Sequence, residues 1–282
     1  MKIAVASGKG GTGKTLVATN LAVVAAERLQ QVTLVDCDVE EPNDALFLNP
    51  EHLSAEDVMV TVPVIDNELC TGCRRCAELC QFNALITVKN RTYVFEDMCH
   101  ACGLCMRVCP ENAITGREKK VGTISLSQRN TLRFLEGRLD VGRELPSPII
   151  RKARAQAGDS GIVLLDAPPG TTCPVVTTLR DCDAVILVTE PTPFGLHDLK
   201  LAAEMASEMG LPVGIVENRA MDGVTLIQEW SEETGVPIWM QLPLDRAIAE
   251  CYAHGNLVVK EMPAYRTRFC GLLDAVMQAV SA

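Results

Sequence analysis

The sequence predicts an α/β fold in which a doubly wound, mostly parallel sheet is interrupted by a small inserted α+β domain. Short β-branched apolar runs alternate with segments of helical periodicity at both ends of the 282-residue chain. A cysteine-rich internal repeat replaces this alternation in the middle. The aromatic content of 4% fits a parallel sheet packed between helices better than an aromatic-rich β sandwich.

Five apolar runs predict buried parallel strands, because each is short, rich in β-branched residues and bounded by polar, glycine or proline residues. These runs are residues 3–6, 32–35, 162–165, 184–188 and 213–216. Helical spacing predicts helices over residues 14–29, 174–180, 196–209 and 225–233. This order of strands and helices is typical of a doubly wound sheet.

The middle of the chain contains a duplicated module. Four cysteines recur 29 residues later, and Asn83-Ala84 recurs at the same offset as Asn112-Ala113. The module therefore predicts an inserted domain over residues 61–118, between parts of a main domain at residues 1–60 and 119–282.

The segment after the module predicts a return to the main sheet. Residues 123–127 and 131–135 have the pattern of a hairpin, and Ser147-Pro148 predicts the start of a helix that runs to Ala157. The stretch from Tyr265 to Val280 predicts a packed closing helix rather than a membrane anchor.

The composition restricts the classes of partner. The formal net charge of −10 is the opposite of the positive surface that nucleic acid phosphates require. No apolar run approaches the roughly 18 residues of a membrane span, and the N-terminus lacks the pattern of a signal peptide. We therefore expect a cytoplasmic protein without a nucleic-acid partner or a stable membrane anchor, whose clustered cysteines bind metal instead of forming disulfides.

The segment Gly8-Lys-Gly-Gly-Thr-Gly-Lys-Thr15 predicts a phosphate-binding loop. It matches the pattern G-x4-G-K-S/T, follows a predicted strand and opens a predicted helix. The loop backbone would surround the phosphates of ATP or ADP, Lys14 would reach the β and γ groups, and the Thr15 hydroxyl would face Mg²⁺. The alternative is a glycine-rich turn with unrelated lysines. The predicted nucleotide contacts in this loop are Gly8, Lys9, Gly10, Gly11, Thr12, Gly13, Lys14 and Thr15.

With Lys9, the loop resembles that of the MinD/ParA/nitrogenase-iron-protein class of P-loop ATPases. The resemblance implies an ATP-dependent homodimer in which Lys9 reaches the partner's phosphates, whereas a solvated lysine is the alternative. In Asp36-Cys-Asp38, which resembles the first switch of the family, Asp38 would orient the attacking water or a magnesium-bound water. The resemblance thus assigns catalysis to Lys9, Lys14 and Asp38.

Two further segments resemble the same family. Asp166-Ala-Pro-Pro-Gly170 is similar to the Walker B and second-switch segment, so that Asp166 would hold Mg²⁺ through water and Gly170 would sense the γ-phosphate. A cap or turn residue is the alternative for Asp166. By resemblance, adenine would contact a final set of residues, which are Asn218, Arg219, Pro243 and Asp245.

Both cysteine runs have the spacing C-x2-C-x2-C-x3-C, which matches bacterial ferredoxins. In that arrangement the fourth cysteine of each run binds the other cluster. One predicted [4Fe–4S] cluster therefore has the ligands Cys70, Cys73, Cys76 and Cys109, and the other has Cys99, Cys102, Cys105 and Cys80. Zinc is the alternative, but eight cysteines in two such runs exceed what one tetrahedral ion uses. His100 is either a hydrogen-bond donor to a cluster or an exposed bystander.

The other cysteines divide into two groups. Cys173 lies seven residues after Asp166, at the offset of a cluster ligand in the nitrogenase iron protein, which implies an interface metal or redox role. A small buried residue is the alternative. We expect the remaining four cysteines to be small core residues; they are Cys37, Cys182, Cys251 and Cys270.

The whole chain resembles the MinD-superfamily ATPases that carry an inserted two-cluster ferredoxin domain. The resemblance implies a doubly wound, mostly parallel P-loop sheet with a ferredoxin-type insert, and an ATPase that is slow without its partner. We expect ATP-driven dimerisation and switch movement to control electron transfer through two clusters to a redox partner. The alternative is an ATP-dependent scaffold or carrier that assembles iron–sulfur or mixed-metal clusters on an acceptor protein. A third hypothesis is spatial positioning on a membrane or nucleoid.

Overall fold

The computed structural model describes residues 1–281 and divides the chain into two compact units. The first unit comprises Met1–Glu56, Ile124–Arg138 and the segment from Ile150 onwards. The second unit comprises Asp57–Thr123 and Leu139–Ile149. The predicted domain limits at residues 61 and 118 stay a prediction.

The strands of the described chain form a large sheet and a small hairpin. The strands of the large sheet are β1 (Lys2–Ala6), β2 (Val32–Asp36), β3 (Glu51–Ile65), β6 (Ile114–Arg129), β7 (Leu132–Leu139), β8 (Ile162–Asp166), β9 (Ala184–Thr189), β10 (Val213–Ala220) and β11 (Ile238–Pro243). Their order is β11-β10-β9-β1-β8-β2-β7-β6-β3. The hairpin pairs β4 (Leu85–Val88) antiparallel with β5 (Arg91–Val94).

The five predicted strands are confirmed as β1, β2, β8, β9 and β10, and neighbouring pairs among them run parallel. The predicted hairpin is also confirmed, because β6 and β7 are neighbours and β7 joins the sheet parallel to β2. Sequence analysis missed β3. Its residues Glu51–Asp57 are exposed and lack an apolar alternation, and β3 lies at the edge of the sheet, where burial imposes no such pattern.

The helices alternate with the strands as predicted. Their bounds are α1 (Lys14–Arg28), α2 (Asp44–Leu48), α3 (Arg75–Glu78), α4 (Leu104–Val108), α5 (Pro146–Ala157), α6 (Cys173–Leu179), α7 (Pro193–Glu208), α8 (Leu226–Thr234), α9 (Arg246–Ala253), α10 (Val258–Glu261) and α11 (Pro263–Ser281). Helix α7 starts three residues earlier than predicted. The reason is that the Thr192 hydroxyl caps it by accepting from the Gly195 amide, while Pro193 occupies the first turn.

The core of the first unit lies between the sheet and its helices. Helix α1 buries a continuous run from Leu16 to Ala25, and α11 buries Phe269, Leu272 and Leu273 in the same apolar cluster. These fully buried side chains confirm that α11 is a packed closing helix. Within residues 1–281, no helix combines the length and apolarity needed to cross a membrane.

The five cysteines outside the two runs differ in how far they are buried. Cys37, Cys182 and Cys251 are buried as predicted, and Cys270 is half-buried against the core. Cys173 is exposed at the start of α6, so its interpretation as a small buried residue is wrong.

Candidate nucleotide site and cysteine pockets

The predicted phosphate loop joins β1 to α1. Gly11 and Gly13 have φ angles of 78° and 99°, which residues with a side chain rarely adopt. A Cβ at Gly13 would lie 2.3 Å from the Asn218 amide nitrogen, so close approach also requires glycine there. The loop is anchored on both sides, because Ser7 Oγ donates to the Lys9 carbonyl at 2.6 Å and the Gly170 amide donates to the Ser7 carbonyl at 3.0 Å.

A cavity of about 420 Å³ opens beside this loop. Its volume lies in the range of small-ligand sites. Ten of the residues predicted to bind nucleotide or act in catalysis line it: Gly10, Gly11, Gly13, Lys14, Thr15, Asp38, Asn218, Arg219, Pro243 and Asp245.

The other predicted residues of this site lie close to the lining. Gly8 packs against Asp198, because a Cβ there would be 2.2 Å from the Asp198 carbonyl oxygen. Thr12 is buried, and its carbonyl accepts a hydrogen bond from the Asn218 side-chain amide at 2.7 Å. Asp166 is buried behind Thr15, whereas Gly170 contacts the loop through its amide.

Buried carboxyl groups surround the predicted magnesium site. Thr15 Oγ1 donates to Asp166 Oδ2 at 2.9 Å. Within residues 1–281, Asp166 Oδ1 has no hydrogen-bond donor. Burial raises the pKa of the Asp166 carboxyl to about 6, although the positive charge of Lys14 opposes this change. Burial also raises the pKa of the Asp38 carboxyl, again against the effect of Lys14. Hydroxyl and carboxylate oxygens are the ligands that Mg²⁺ prefers, so this donor set fits the ion.

The first predicted switch is folded around Asp36. Its Oδ1 accepts from the Asp38 amide at 3.0 Å, and its Oδ2 accepts from the amides of Asn43 and Asp44 at 3.0 and 3.2 Å. Asp36 therefore fixes the backbone that presents Asp38. The side chain of Asp36 is itself fully buried, and burial together with the nearby Asp166 raises its pKa well above the usual range.

Sequence analysis missed Asp44, which is fully buried at the start of α2. Burial raises the pKa of its carboxyl well above the usual range, and the neighbouring Asp36 and Asp166 carboxyls raise it further. Within residues 1–281, neither carboxyl oxygen of Asp44 has a hydrogen-bond partner. Burial without a partner favours the neutral form of this carboxyl. Its position before an apolar run suggests only a helix start, since burial of the carboxyl depends on tertiary packing.

Part of the cavity lining is apolar. Leu244, Ile248 and Tyr252 contribute to it with Pro243, and the ring of Tyr252 stacks on Phe47 with centroids 4.6 Å apart. Sequence analysis missed Ile248 and Tyr252, because α9 carries no distinctive motif. This apolar wall is suited to a planar apolar group such as a nucleobase.

Asp245 and Arg219, which are predicted to contact the nucleobase, also form contacts with other residues of the chain. Asp245 Oδ1 caps α9 by accepting from the Ala247 amide at 2.8 Å, and Asp245 Oδ2 accepts from the Tyr265 hydroxyl at 3.0 Å. The Arg219 guanidinium forms an ion pair with Glu190. Glu190 also faces Lys9, whose ammonium nitrogen is 3.7 Å from a carboxylate oxygen.

The cysteine runs line two pockets within the second unit. One pocket contains Cys70, Cys73, Cys76 and Cys109, and we call it the first-quartet pocket. The second-quartet pocket contains Cys80, Cys99, Cys102 and Cys105, and Cys76 also contacts it. Each pocket thus holds all four members of one predicted ligand set, including the cysteine contributed by the other run.

Backbone amides approach several sulfur atoms of the quartets. The amides of Ala84, Ala101 and Ala113 donate to the sulfurs of Cys80, Cys99 and Cys109 at 3.3–3.4 Å. Burial raises the pKa of the Cys105 thiol to about 11, and it also raises the pKa values of Cys76 and Cys99. A bound metal centre would offset this effect, because coordination stabilises the thiolate form.

Within residues 1–281, no three or more His, Cys, Asp or Glu side chains are arranged so that they could hold a metal ion. The metal centres assigned to the two cysteine quartets stay a prediction.

The surroundings of the second-quartet pocket include an aromatic pair. The His100 ring is exposed, as one of the two interpretations expected, and it stacks on Phe82 with centroids 3.7 Å apart and an angle of 7° between the planes. Both rings line the pocket. His100 is therefore held in a defined position beside the cysteines.

Comparison with known proteins assigns the family. Residues 3–258 match the CobQ/CobB/MinD/ParA nucleotide binding domain. The chain belongs to this family. An uncharacterized protein of Methanocaldococcus jannaschii is 30% identical over 263 aligned residues, which cover 92% of each chain. An iron-sulfur cluster carrier protein of Aquifex aeolicus is 26% identical, and the alignment covers 93% of this chain and 62% of that protein.

The solved structures include MinD-type members of the family. The septum site-determining protein MinD of Pyrococcus horikoshii, complexed with Mg-ADP, matches with a TM-score of 0.61 at 20% identity. The match covers 98% of this chain and 95% of that chain. The predicted α/β fold with a large, mostly parallel sheet is therefore confirmed, as is membership of the MinD/ParA superfamily. The roles of individual site residues stay predictions.

Proposed function

We propose that this MinD/ParA-family protein is an ATPase that acts in the assembly of iron–sulfur or mixed-metal clusters on a partner protein. We further propose that its second unit binds two [4Fe–4S] clusters and transfers electrons for that reaction. The observation that carries the proposal is the division of eight cysteines into two pockets, each lined by one complete predicted quartet. The iron-sulfur cluster carrier protein of Aquifex aeolicus supports the assembly role.

The nucleotide half of the proposal rests on the cavity beside the phosphate loop. The backbone of Gly10, Gly11 and Gly13 would surround the phosphates, and Lys14 would contact the β and γ groups. Thr15 would bind Mg²⁺ directly and Asp166 would hold its water ligands, while the ion neutralises charge on the phosphates. Asn218 and the apolar wall at Pro243 would position the base.

Asp38 is the residue proposed to orient the attacking water. It lines the cavity, and Asp36 fixes its backbone through the hydrogen bond to the Asp38 amide. The proposed dimer uses Lys9, which the first unit holds against Glu190. Lys9 would leave Glu190 when it reaches the phosphates of the partner subunit.

The cluster half of the proposal rests on burial and on ligand chemistry. Cys76, Cys99 and Cys105 are buried, and the quartets join cysteines from both runs. Because each cluster would take cysteine ligands from both runs, cluster binding would hold the two runs of the second unit together. The bound clusters would then be resident electron carriers, and the iron delivered to a partner would be a separate cargo. Thiol ligands of this kind persist in a reducing cytoplasm, which is the compartment we propose.

The test is an anaerobic transfer assay with isotopically labelled iron. Protein supplied with labelled iron and sulfide is mixed with an apo acceptor in the presence of ATP or a nonhydrolysable analogue. We expect label in the acceptor only with ATP, while about eight iron atoms per chain stay on this protein, as two four-iron clusters require. Transfer that is equal with and without ATP turnover, or no transfer at all, contradicts the assembly role.

A second candidate function is ATP-controlled electron transfer without cluster assembly. The enclosure of Cys76, Cys99 and Cys105 favours it, because buried ligands suit clusters that stay in place. The discriminating measurement is an EPR-monitored redox titration with and without Mg²⁺ and the ATP analogue. A nucleotide-dependent midpoint potential combined with no iron transfer favours this second function. Unchanged potentials leave the clusters as a relay for assembly.

A further inference from the structure

The two cysteine repeats differ at the residue after their second cysteine. In the second repeat this residue is Gly103, with a φ angle of 72°. In the first repeat it is Arg74, with a φ angle of 65°. The backbone is thus in the same left-handed conformation in both repeats. This conformation is unfavourable for arginine and unstrained for glycine, so a glycine at position 74 would fit the backbone of the first repeat.

The side chain of Arg74 belongs to a positively charged rim. Arg74 and Arg75 are both exposed beside Cys73, which is the exposed cysteine of the first quartet, and all three line its pocket. The turn between β4 and β5 adds Lys89, because a Cβ at Gly72 would lie 2.8 Å from the Lys89 carbonyl oxygen. Lys89 is itself exposed and has a φ angle of 54°.

Arg91 follows on the same hairpin and is also exposed. Its neighbour Thr92 lies with Oγ1 3.5 Å from the Cys70 sulfur, which places this strand against the first quartet. We call Arg74, Arg75, Lys89 and Arg91 the basic rim. Within the described residues, none of the four cations of the basic rim forms an ion pair.

The charges of the basic rim contrast with the rest of the chain, whose formal net charge is −10. Four exposed carboxylates lie nearby: Glu78 on α3, Glu111 in the pocket lining, and Asp66 and Glu68 in the segment before Cys70. Within the pocket lining itself, the cations Arg74 and Arg75 outnumber the carboxylate of Glu111. The second-quartet pocket has a different border. Leu79, Phe82, His100 and Leu104 are exposed around it, and they give an apolar and aromatic surface.

We propose that the basic rim is the docking site of an acidic electron-carrier protein that reduces the first-quartet cluster. This inference rests on the proposed cluster binding. One electron leaves the reduced carrier, which is oxidised, and enters the first-quartet cluster, which is reduced; no bond forms and no proton moves. Cations without an ion-pair partner, placed beside an exposed cluster ligand, steer an acidic protein to the surface from which the distance for electron transfer to the cluster is shortest.

The test uses the cluster-loaded full chain and stopped-flow mixing with a reduced acidic flavodoxin as the probe. The first variant is Arg74→Gly, which removes one charge and leaves the residue that already fits this backbone at position 103. The second combines Arg75→Gln with Lys89→Gln. The matched control is Arg107→Gln, which removes an exposed cation of α4 outside the rim.

We expect the second-order rate of reduction by flavodoxin to fall about threefold for Arg74→Gly and about tenfold for the double variant, with a weaker dependence on salt. Reduction by dithionite and the EPR spectra should not change, and Arg107→Gln should match the wild type. Equal rates in all four proteins, or an equal loss in the control, overturn the docking site alone. Absence of cluster signals from the wild type overturns the proposed cluster binding and this inference with it.

Discussion

The nucleotide cavity and the cysteine pockets obtain their shape in different ways. The phosphate loop follows β1 and opens α1, and both elements belong to an extensive apolar cluster that includes Ile3, Leu21 and Leu164. The apolar cluster at the cysteine pockets consists of the buried residues Cys76, Leu85, Cys105 and Ile114 with a few partly buried neighbours. Half of those four are predicted ligands. Apolar packing therefore stabilises the nucleotide cavity without its ligand, whereas the cysteine pockets would depend on the proposed metal clusters for their stability.

The largest expected effect is the response to iron removal. Chelation under anaerobic conditions should reduce the hydrogen-exchange protection of residues 70–113 by about 10,000-fold or more, because metal binding supplies the folding free energy of such small units. The amides of β1, β2 and β8 should keep their protection. Hydrogen exchange measured by mass spectrometry checks both statements.

A cysteine outside the quartets provides the control for this experiment. Cys270→Ser should keep full iron content and full protection, whereas Cys105→Ser should lose both in the second unit. Equal protection of residues 70–113 before and after chelation would contradict the comparison, since it would mean that packing alone stabilises the second unit.

Leu272→Ala should weaken the first unit in the opposite pattern. Leu272 is fully buried in α11, so its truncation should lower the free energy of unfolding by about 2–5 kcal/mol. Iron content and EPR signals should stay unchanged. Denaturant unfolding followed by circular dichroism measures the loss, and Leu272→Met, which conserves volume, should cost less than about 1.5 kcal/mol. Loss of iron from Leu272→Ala would count against separate sources of stability.

Stability without nucleotide should fall as the pH rises through about 6. The folded Asp166 has a pKa raised from 3.8 to about 6, so between these values the folded state binds more protons than the unfolded state. The resulting stabilisation is complete below pH 4 and is lost as the pH rises through 6, with a total of about 3 kcal/mol. Chemical unfolding at several pH values measures this slope, and Asp166→Asn should make it less steep, while the buried Asp36 and Asp44 keep its sign. A stability that rises over this range would refute the assignment.

Bound nucleotide should have the smallest of these effects. At a concentration of 100 times Kd, Mg-ATP should stabilise the first unit by about 2.7 kcal/mol through mass action. Lys14→Ala should abolish this gain and the ATPase activity while iron content stays normal. Thermal unfolding with and without Mg-ATP checks the prediction, with the exposed Lys200→Ala as the control. If Mg-ATP stabilised Lys14→Ala as much as the wild type, Lys14 would not be part of the nucleotide site.

Much of the fold could be predicted because local patterns and tertiary packing agree. The strands β8 and β9 are buried along their whole length and β1 is buried except at Lys2, so they appear as continuous apolar runs. The strand β3 could not be predicted, since its first half is exposed and pairing at the sheet edge leaves no pattern in the sequence. For the same reason the length of β6, which extends from Ile114, exceeds the predicted hairpin arm.

The candidate sites divide in a similar way. The phosphate loop and the cysteine runs have fixed spacings that follow from the geometry of their ligands, so the sequence alone indicates them. Asp44 and Tyr252 reach the nucleotide cavity only through packing of the chain, and no spacing reveals them. Cys173 shows the reverse error, because its apolar neighbours suggest burial while the start of α6 exposes it.

The carboxylate of Glu190 has a thermodynamic consequence for the whole cavity. Its Oε2 pairs with Lys9 of the phosphate loop and its Oε1 with Arg219 at the end of β10, so the two cations share one negative charge. If Lys9 moved to a phosphate, as proposed, Arg219 would have the whole attraction of Glu190. Because coupling between two ligands is reciprocal, a base that held Arg219 against Glu190 would then ease the departure of Lys9 by the same free energy.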